Sequence, residues 1–304
     1  MDLYLNLIKI YSKGTYEMKK VMINDQIIDK ENACLNMFDR GYHFGDGVYE
    51  VIRVWDGELF TLNEHIARFY SGAAKIKIEI PFTKDELKTR IRELIKANNI
   101  QLGIVYFQLT RGVAPRKHEF PSKGTKPVFT AYTDEKERPE KEINDGVEVI
   151  LKEDIRWLRC DIKSINLLPN VLAKQDAKSQ GCFEAIFYRD GIVTEGSSTN
   201  VFIVKDGKVI THPASNLILN GITRQVVIKL TEENNITLIQ QEFSINEMLS
   251  ADEVFLTSVS NEVMPIIKVD GKIIGKGTPG SITRQLQTLF KERILHDIRN
   301  EKQK

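Results

Sequence analysis

Residues 184–211 read EAIFYRDGIVTEGSSTNVFIVKDGKVIT. Their apolar runs are short and rich in β-branched and aromatic residues, the composition of strands rather than helices. Asp190-Gly191 and Asp206-Gly207 interrupt the runs with the dipeptide that tight hairpins favour, because both turn positions need positive φ. The pattern predicts two hairpins, Glu184–Tyr188 with Ile192–Glu195 and Asn200–Val204 with Lys208–Thr211. Hairpins make antiparallel neighbours, whereas a doubly wound parallel sheet needs a crossover helix between strands. The expected fold class is therefore α/β of the α+β type, with the helices segregated from the hairpins.

Toward the C-terminus, Gly221-Ile222-Thr223 precedes a helix carrying Val226, Val227 and Leu230. Val254–Ser258 reads as a strand, Asp270-Gly271 centres a third hairpin, and a last helix is predicted from about Pro279 to Ile298. Toward the N-terminus, Val147–Leu151, Val128–Tyr132 and Ile104–Thr110 are strand-like. Thr83-Lys84-Asp85-Glu86 is a capping box opening a helix with Leu87, Ile91, Leu94 and Ile95 inward. Asn63 is the expected N-cap of another, with Ile66, Phe69, Tyr70, Ala73 and Ile76 spaced by three and four. Val21–Ile28 reads as extended chain about a turn at Asn24-Asp25. Thr133–Asp145 is mostly charged, with almost nothing to bury. That places a linker at 134–145 between a smaller domain, 18–133, and a larger one, 146–304. Residues 1–17 lack a basic n-region and a cleavage site, so they read as an N-terminal extension rather than a signal peptide, with Met18 as an alternative start.

Of the 304 residues, 41% are hydrophobic and 28% charged, the composition of a folded globular chain. Lys and Arg number 43 against 42 Asp and Glu, a net charge of +1, so there is no global field to hold nucleic acid or an anionic membrane. Cys34, Cys160 and Cys182 are odd in number and far apart, which excludes a disulfide scaffold and fits a reducing cytoplasm. Without C-x-x-C no cysteine zinc site is expected, and no apolar run approaches the ~18 residues of a membrane helix. P-loop, H-E-x-x-H and G-x-S-x-G motifs are absent. Gly45-Asp46-Gly47 begins like a dinucleotide fingerprint but continues to Glu50 with no evident helix.

Four segments stand out: Arg40–Glu50 (RGYHFGDGVYE), Thr110–Pro121 (TRGVAPRKHEFP), Asp154–Ser164 (DIRWLRCDIKS) and Thr194–Asn200 (TEGSSTN). Desolvation keeps a lysine amine unprotonated, free to act as a nucleophile and proton carrier. Two lysines compete for such a role. Lys163 lies close to Ile162 and Ile165 in a tight segment, and Lys174 lies in the helical stretch 171–178, where it reads as solvated. In order and spacing, the four segments resemble the fold-type IV pyridoxal-phosphate enzymes, and within them the D-amino-acid aminotransferases. The resemblance runs from Met18 to near residue 295.

That resemblance implies two domains with pyridoxal 5'-phosphate in the cleft between them. It implies Lys163, in Lys-x-x-Asn-x-Leu at 163–168, as the Schiff-base lysine, and Glu195 as the carboxylate beside the pyridine nitrogen. Around the phosphate it implies Arg68, Ser258 and the helix start at Ile222 and Thr223. Tyr49, Arg116 and His118 are implied to hold the substrate carboxylate, the last two reaching in from the neighbouring subunit of a homodimer. Val259 departs from the family, which has threonine there. Without the resemblance, Glu195 reads as a strand-end glutamate facing water and Arg68 as a snorkelling arginine. Arg116 and His118 then read as a solvated basic loop with Arg111 and Lys117. The implied activity is transamination between D-amino acids and 2-oxo acids: D-alanine and 2-oxoglutarate give pyruvate and D-glutamate in the cytoplasm. The alternatives are an L-branched-chain aminotransferase, an aminodeoxychorismate lyase of the same fold, and a non-catalytic binding module.

Overall fold

The structure is a computed structural model that describes residues 19–303, so the extension expected at 1–17 and the alternative start at Met18 lie outside the described residues. The N-terminal half contains β1 (Lys20–Ile23), β2 (Gln26–Asp29), α1 (Arg40–Phe44), β3 (Gly47–Trp55), β4 (Glu58–Leu59), α2 (Leu62–Lys75), α3 (Lys84–Asn98), β5 (Leu102–Thr110) and β6 (Val128–Glu135). Its six strands pair antiparallel in the order β2-β1-β6-β5-β3-β4. The apolar stripes of α2 and α3 bury Ile66, Phe69, Leu87, Ile91 and Leu94 against Ile52, Val105, Phe107 and Phe129 of the sheet. Thr83 and Glu86 form the expected capping box at α3. Helix α2 differs: it starts before Asn63, with left-handed Thr61 at the cap, φ 55°, and no side-chain cap bond. Burial of Leu62 draws the chain into the helix two residues early, leaving Asn63 exposed.

The C-terminal half contains α4 (Glu140–Asp145), β7 (Val147–Glu153), α5 (Leu168–Ser179), β8 (Glu184–Arg189), β9 (Ile192–Gly196), β10 (Asn200–Lys205), β11 (Lys208–Thr211), α6 (Ile222–Glu233), β12 (Leu238–Gln240), α7 (Ile245–Leu249), β13 (Glu253–Ser258), β14 (Glu262–Val269), β15 (Lys272–Ile273) and α8 (Ser281–Lys302). Eight strands run β12-β11-β10-β13-β14-β7-β8-β9, and β15 pairs with β14. Both hairpins of residues 184–211 form, with Tyr188 opposite Val193 and Val204 opposite Val209. All four turn residues have positive φ, from 48° at Asp190 to 80° at Gly191. Three pairings are parallel, β7 with β8, β7 with β14, and β11 with β12. Pairing between distant strands leaves no local mark, so the hairpins alone did not reveal this mixed sheet.

The stretch read as having almost nothing to bury has anchors of its own. Thr133 is buried in β6, where its hydroxyl accepts from Asn98 Nδ2 at 2.9 Å, and Ile143 of α4 is buried in the apolar core of the second half. Between them Arg138 grips the Glu262 carboxylate through Nε at 2.8 Å and Nη2 at 2.8 Å. Phe60 of the first half packs edge-on against Phe290 of α8, ring centroids 5.7 Å apart, so the two halves share apolar surface. Among the described residues no helix is long and apolar enough to cross a membrane.

Thr83→Ala removes the acceptor for the Glu86 N–H and should destabilise the protein by about 1 kcal/mol in urea denaturation. An unchanged midpoint would show that Glu86 closes the helix end alone.

Candidate active site

A cavity of about 400 Å³ is lined from both halves by Tyr49, Arg68, Lys163, Glu195, Ile222, Thr223 and Ser258. Lys163 stands on an irregular segment strapped to β3. The Tyr49 N–H donates to the Lys163 carbonyl at 3.0 Å and the Ile165 N–H to the Gly47 carbonyl at 3.1 Å. Gly47 permits this closeness, since a Cβ there would sit 3.1 Å from Ile165 Cδ1, besides 2.5 Å from the Leu109 carbonyl oxygen of β5. Gly45 ends α1 at φ 63°, and its carbonyl accepts from Asn166 at 2.8 Å. Gly45-Asp46-Gly47 is therefore a seat for the lysine segment. Asp46 between them is gripped by Arg111 and Arg40. Burial raises the Asp46 carboxyl, and the two arginines overcome that and hold it below its ordinary value. The Lys163 amine lies 4.1 Å from the Tyr49 ring centroid.

Lys174 is not the freely solvated side chain expected. Its amine donates to the Phe183 carbonyl and lies 3.5 Å from Glu184, because the half-buried position on α5 packs it over the Phe183 ring. It does not line the cavity.

Glu195 does not face water. At the end of β9 its carboxylate is buried and accepts from Arg156 Nη1 at 2.6 Å, Asn200 Nδ2 at 3.1 Å and the Leu219 N–H at 3.0 Å. Asp154 grips the other side of Arg156 through Nε and Nη2, both at 2.8 Å. Burial pushes Glu195 up to about 7 against the downward pull of Arg156.

Arg68 does not snorkel either. Its Nε and Nη2 donate to the Glu50 carboxylate at 2.6 and 2.8 Å, and Nη1 reaches the Asn220 carbonyl at 3.3 Å. Glu50 also faces His65 Nδ1 at 2.8 Å. Burial raises the fully buried Glu50, and Arg68 and His65 outweigh it, holding the carboxyl well below the usual range. Gly221 caps α6 with extended backbone, and the first-turn amides of Ile222 and Thr223 lie at the helix start, where intrahelical acceptors are lacking. A Cβ on Gly221 would come within 2.2 Å of Asn200 Oδ1.

The donor set fits a phosphorylated pyridine aldehyde. Its lining offers helix-start amides and Arg68, a buried carboxylate, and an amine. The hydroxyls of Thr199 and Thr257, both lining the cavity, are buried and bond to no protein group.

Arg116 and His118 do not join this cavity within the chain. They lie on the exposed β5–β6 connection, with the Arg116 guanidinium 5.0 Å from the Phe44 ring centroid and the His118 ring 5.6 Å from it. Arg111, read as part of the same loop, is buried on Asp46 and the Ile76 and Lys77 carbonyls. Sequence reasoning passed over Glu50, Asp154, Arg156 and Asn200. Each lies in a segment quoted above, and Asp-x-Arg at 154–156 was the available signal.

The sequence profile of amino-transferase class IV matches residues 47–269. The chain belongs to this family. It is 49% identical over 278 residues to D-alanine aminotransferase of Bacillus licheniformis, covering 91% of this chain and 98% of that protein. Against D-alanine aminotransferase of Staphylococcus epidermidis it is 50% identical over 277 residues, again covering 91% and 98%. The branched-chain amino acid aminotransferase of T.th., solved with pyridoxamine 5'-phosphate, superposes with a TM-score of 0.84 at 27% identity, covering 91% of this chain and 94% of that one.

The buried Glu195 gives a pH signature in the cofactor-free protein. Its folded value, about 7, exceeds the ordinary 4.5, so the folded state holds an extra proton between them. Stability should therefore fall as pH rises from about 5 to 7 and level off above, and Glu195→Gln should flatten that part of the curve. Thermal midpoints from pH 5 to 8 check this; an equal slope in both proteins would contradict it.

Proposed function

We propose that the chain transfers the amino group of D-amino acids to 2-oxo acids, with D-alanine and 2-oxoglutarate giving pyruvate and D-glutamate. The observation that carries the reading is one cavity lined by an amine, Lys163, a buried carboxylate, Glu195, and a helix-start anion seat at Ile222 and Thr223. Near 50% identity to D-alanine aminotransferases over most of the chain supports it over the branched-chain reading, whose solved representatives share the fold at 25–27% identity. A transaminase requires a 2-oxo acid acceptor and a lyase does not, which separates aminodeoxychorismate lyase by assay.

Pyridoxal 5'-phosphate, when bound, supplies a ring that takes up the electron pair left at Cα as its proton departs. Lys163 holds the cofactor through its amine in the resting enzyme. When free, the same amine would be placed to take up the substrate's Cα proton and hand it on. Glu195, oriented by its hydrogen bond from Arg156, would stand beside the ring nitrogen and hold a proton there. The amides of Ile222 and Thr223, with Arg68 and the Ser258 hydroxyl, receive the phosphate. Glu50 fixes the direction of Arg68 by two hydrogen bonds.

Amino acid and oxo acid share an α-carboxylate, so one clamp serves both half-reactions. Tyr49 is the member of that clamp in this chain's own cavity, and Arg116 and His118 come from the partner of a homodimer. Exposed apolar side chains support the dimer: Phe38 at 50%, Tyr42 at 80%, Phe120 at 54%, Ile155 at 69% and Leu158 at 60%. Residues 18–133 and 146–304 are the two domains of each subunit, joined by 134–145. Three free thiols support a cytoplasmic setting.

Purified enzyme should convert D-alanine only when 2-oxoglutarate is present, and leave L-alanine and L-leucine largely unused. Turnover of L-leucine above D-alanine would move the reading to the branched-chain group. Lys163→Ala should lose the cofactor's visible absorbance shift and nearly all activity, while Lys174→Ala keeps both; the reverse outcome would reassign the lysine. Arg116→Ala should raise KM for D-alanine and for 2-oxoglutarate alike, each by about tenfold or more for a lost charge-assisted contact. An effect on one substrate alone would contradict the shared clamp.

A further inference from the structure

The loop that carries Arg116 and His118 has little of its own to hold it. Residues 115–120 are all exposed, and one bond closes the loop on itself, from the Lys117 N–H to the Pro115 carbonyl at 2.8 Å. Among the described residues, every other hydrogen bond to residues 116–119 comes from a single side chain, Arg40 of α1. Its Nη1 donates to the Lys117 carbonyl at 2.6 Å and the Glu119 carbonyl at 3.3 Å, and its Nη2 to the His118 carbonyl at 3.4 Å. Three consecutive carbonyls converge on one guanidinium.

Arg40 is itself buried, 4% exposed, and its direction is fixed by Nε on Asp46 Oδ2 at 2.8 Å. The helix that bears it is fastened to the base of the same loop. The Arg40 N–H donates to the Gly112 carbonyl at 3.0 Å, and the Thr110 hydroxyl donates to Asp39 at 2.8 Å. Phe44, the last residue of α1, lies among the three side chains concerned. Its ring centroid is 4.7 Å from the Arg40 guanidinium, 5.0 Å from that of Arg116 and 5.6 Å from the His118 ring. Asp46, by contrast, has a second arginine: Arg111 holds it through Nε at 2.8 Å and Nη2 at 2.9 Å. The seat of the Lys163 segment therefore keeps a bidentate partner without Arg40, and the loop does not.

An exposed loop must be ordered when it binds a ligand, which weakens binding unless something orders it beforehand. A guanidinium can do so because its donors form a rigid fork. A lysine amine is a single point on a flexible stem and cannot span Asp46 and three carbonyls at once.

We propose that Arg40 is a positioning residue for substrate binding, acting through the 116–119 loop on the partner subunit's site and not on the site of its own chain. The proposal rests on the reading above, in which Arg116 and His118 close the partner's cavity.

Hybrid dimers of the holoenzyme, isolated through a different affinity tag on each chain, test it. One chain carries Lys163→Ala, so the hybrid has a single active lysine, and the clamp at that site belongs to the Lys163→Ala chain. Arg40→Lys on that same chain should raise KM for D-alanine and 2-oxoglutarate together by about fivefold, with kcat within about twofold, because binding common to ground and transition states is what is lost. On the chain with the intact lysine, Arg40→Lys should leave both constants unchanged. An unmoved KM in the first hybrid, or an equal rise in both, overturns the proposal. Arg116→Ala, placed in the same two ways, separates the proposal from its premise. A rise with Arg116→Ala on the Lys163→Ala chain and none with Arg40→Lys defeats the proposal alone; no rise with either defeats the clamp reading and the proposal with it. If Arg40→Lys does not fold, crystals of the unsubstituted holoenzyme without substrate decide. Arg40 should lie on the 117–119 carbonyls with Arg116 already in the partner's cavity, and a loop disordered there or held by other groups overturns the proposal.

Discussion

One arginine shared by two buried carboxylates is the constraint around which the candidate site is arranged. Arg156 lies between Asp154 and Glu195, 2.8 and 2.6 Å from them, with all three side chains almost out of solvent. Burial outweighs the downward pull of Arg156 and leaves the Glu195 carboxyl raised to about 7. A buried ion group of this kind is costly and stabilises a fold weakly. Its use here is directional: it fixes a carboxylate in the wall of the cavity that Lys163 also lines. Arg189 and Thr194 also bond to Asp154, so the side of Arg156 remote from the cavity is anchored in the sheet.

The other half of the site depends on β3. Its first residues hold the Lys163 segment through backbone bonds, and Glu50 on the same strand sets Arg68. One strand thus ties the amine and the phosphate-side arginine to a single rigid element, as a preorganised site requires.

Much of this was legible in the sequence where the signal is local. The Asp-Gly turns at 190–191, 206–207 and 270–271 mark hairpins because positive φ at both positions is a local demand, and all three form. The Thr83–Glu86 box is equally local. The parallel pairings of β7 were not legible, since they join strands far apart in the chain. The site divides in the same way. Lys163 and Glu195 lie in segments with a recognisable spacing, and both line the cavity. Arg156 and Glu50 were missed because a buried ion pair is visible only when its partner from another element is known. Arg116 and His118 lie outside the cavity of their own chain, as a clamp completed across a dimer would require.

The central claim is that Glu195 acts as a buried anion during the reaction rather than as a structural hydrogen-bond acceptor. Steady-state turnover of Glu195→Gln, measured on enzyme of known cofactor content, tests it most directly. Glutamine keeps the shape and an acceptor for Arg156 but removes the charge. The account predicts near-normal cofactor content and a kcat lower by about 10²-fold or more, the scale of losing a preorganised electrostatic group. Wild-type kcat in the glutamine variant would contradict it.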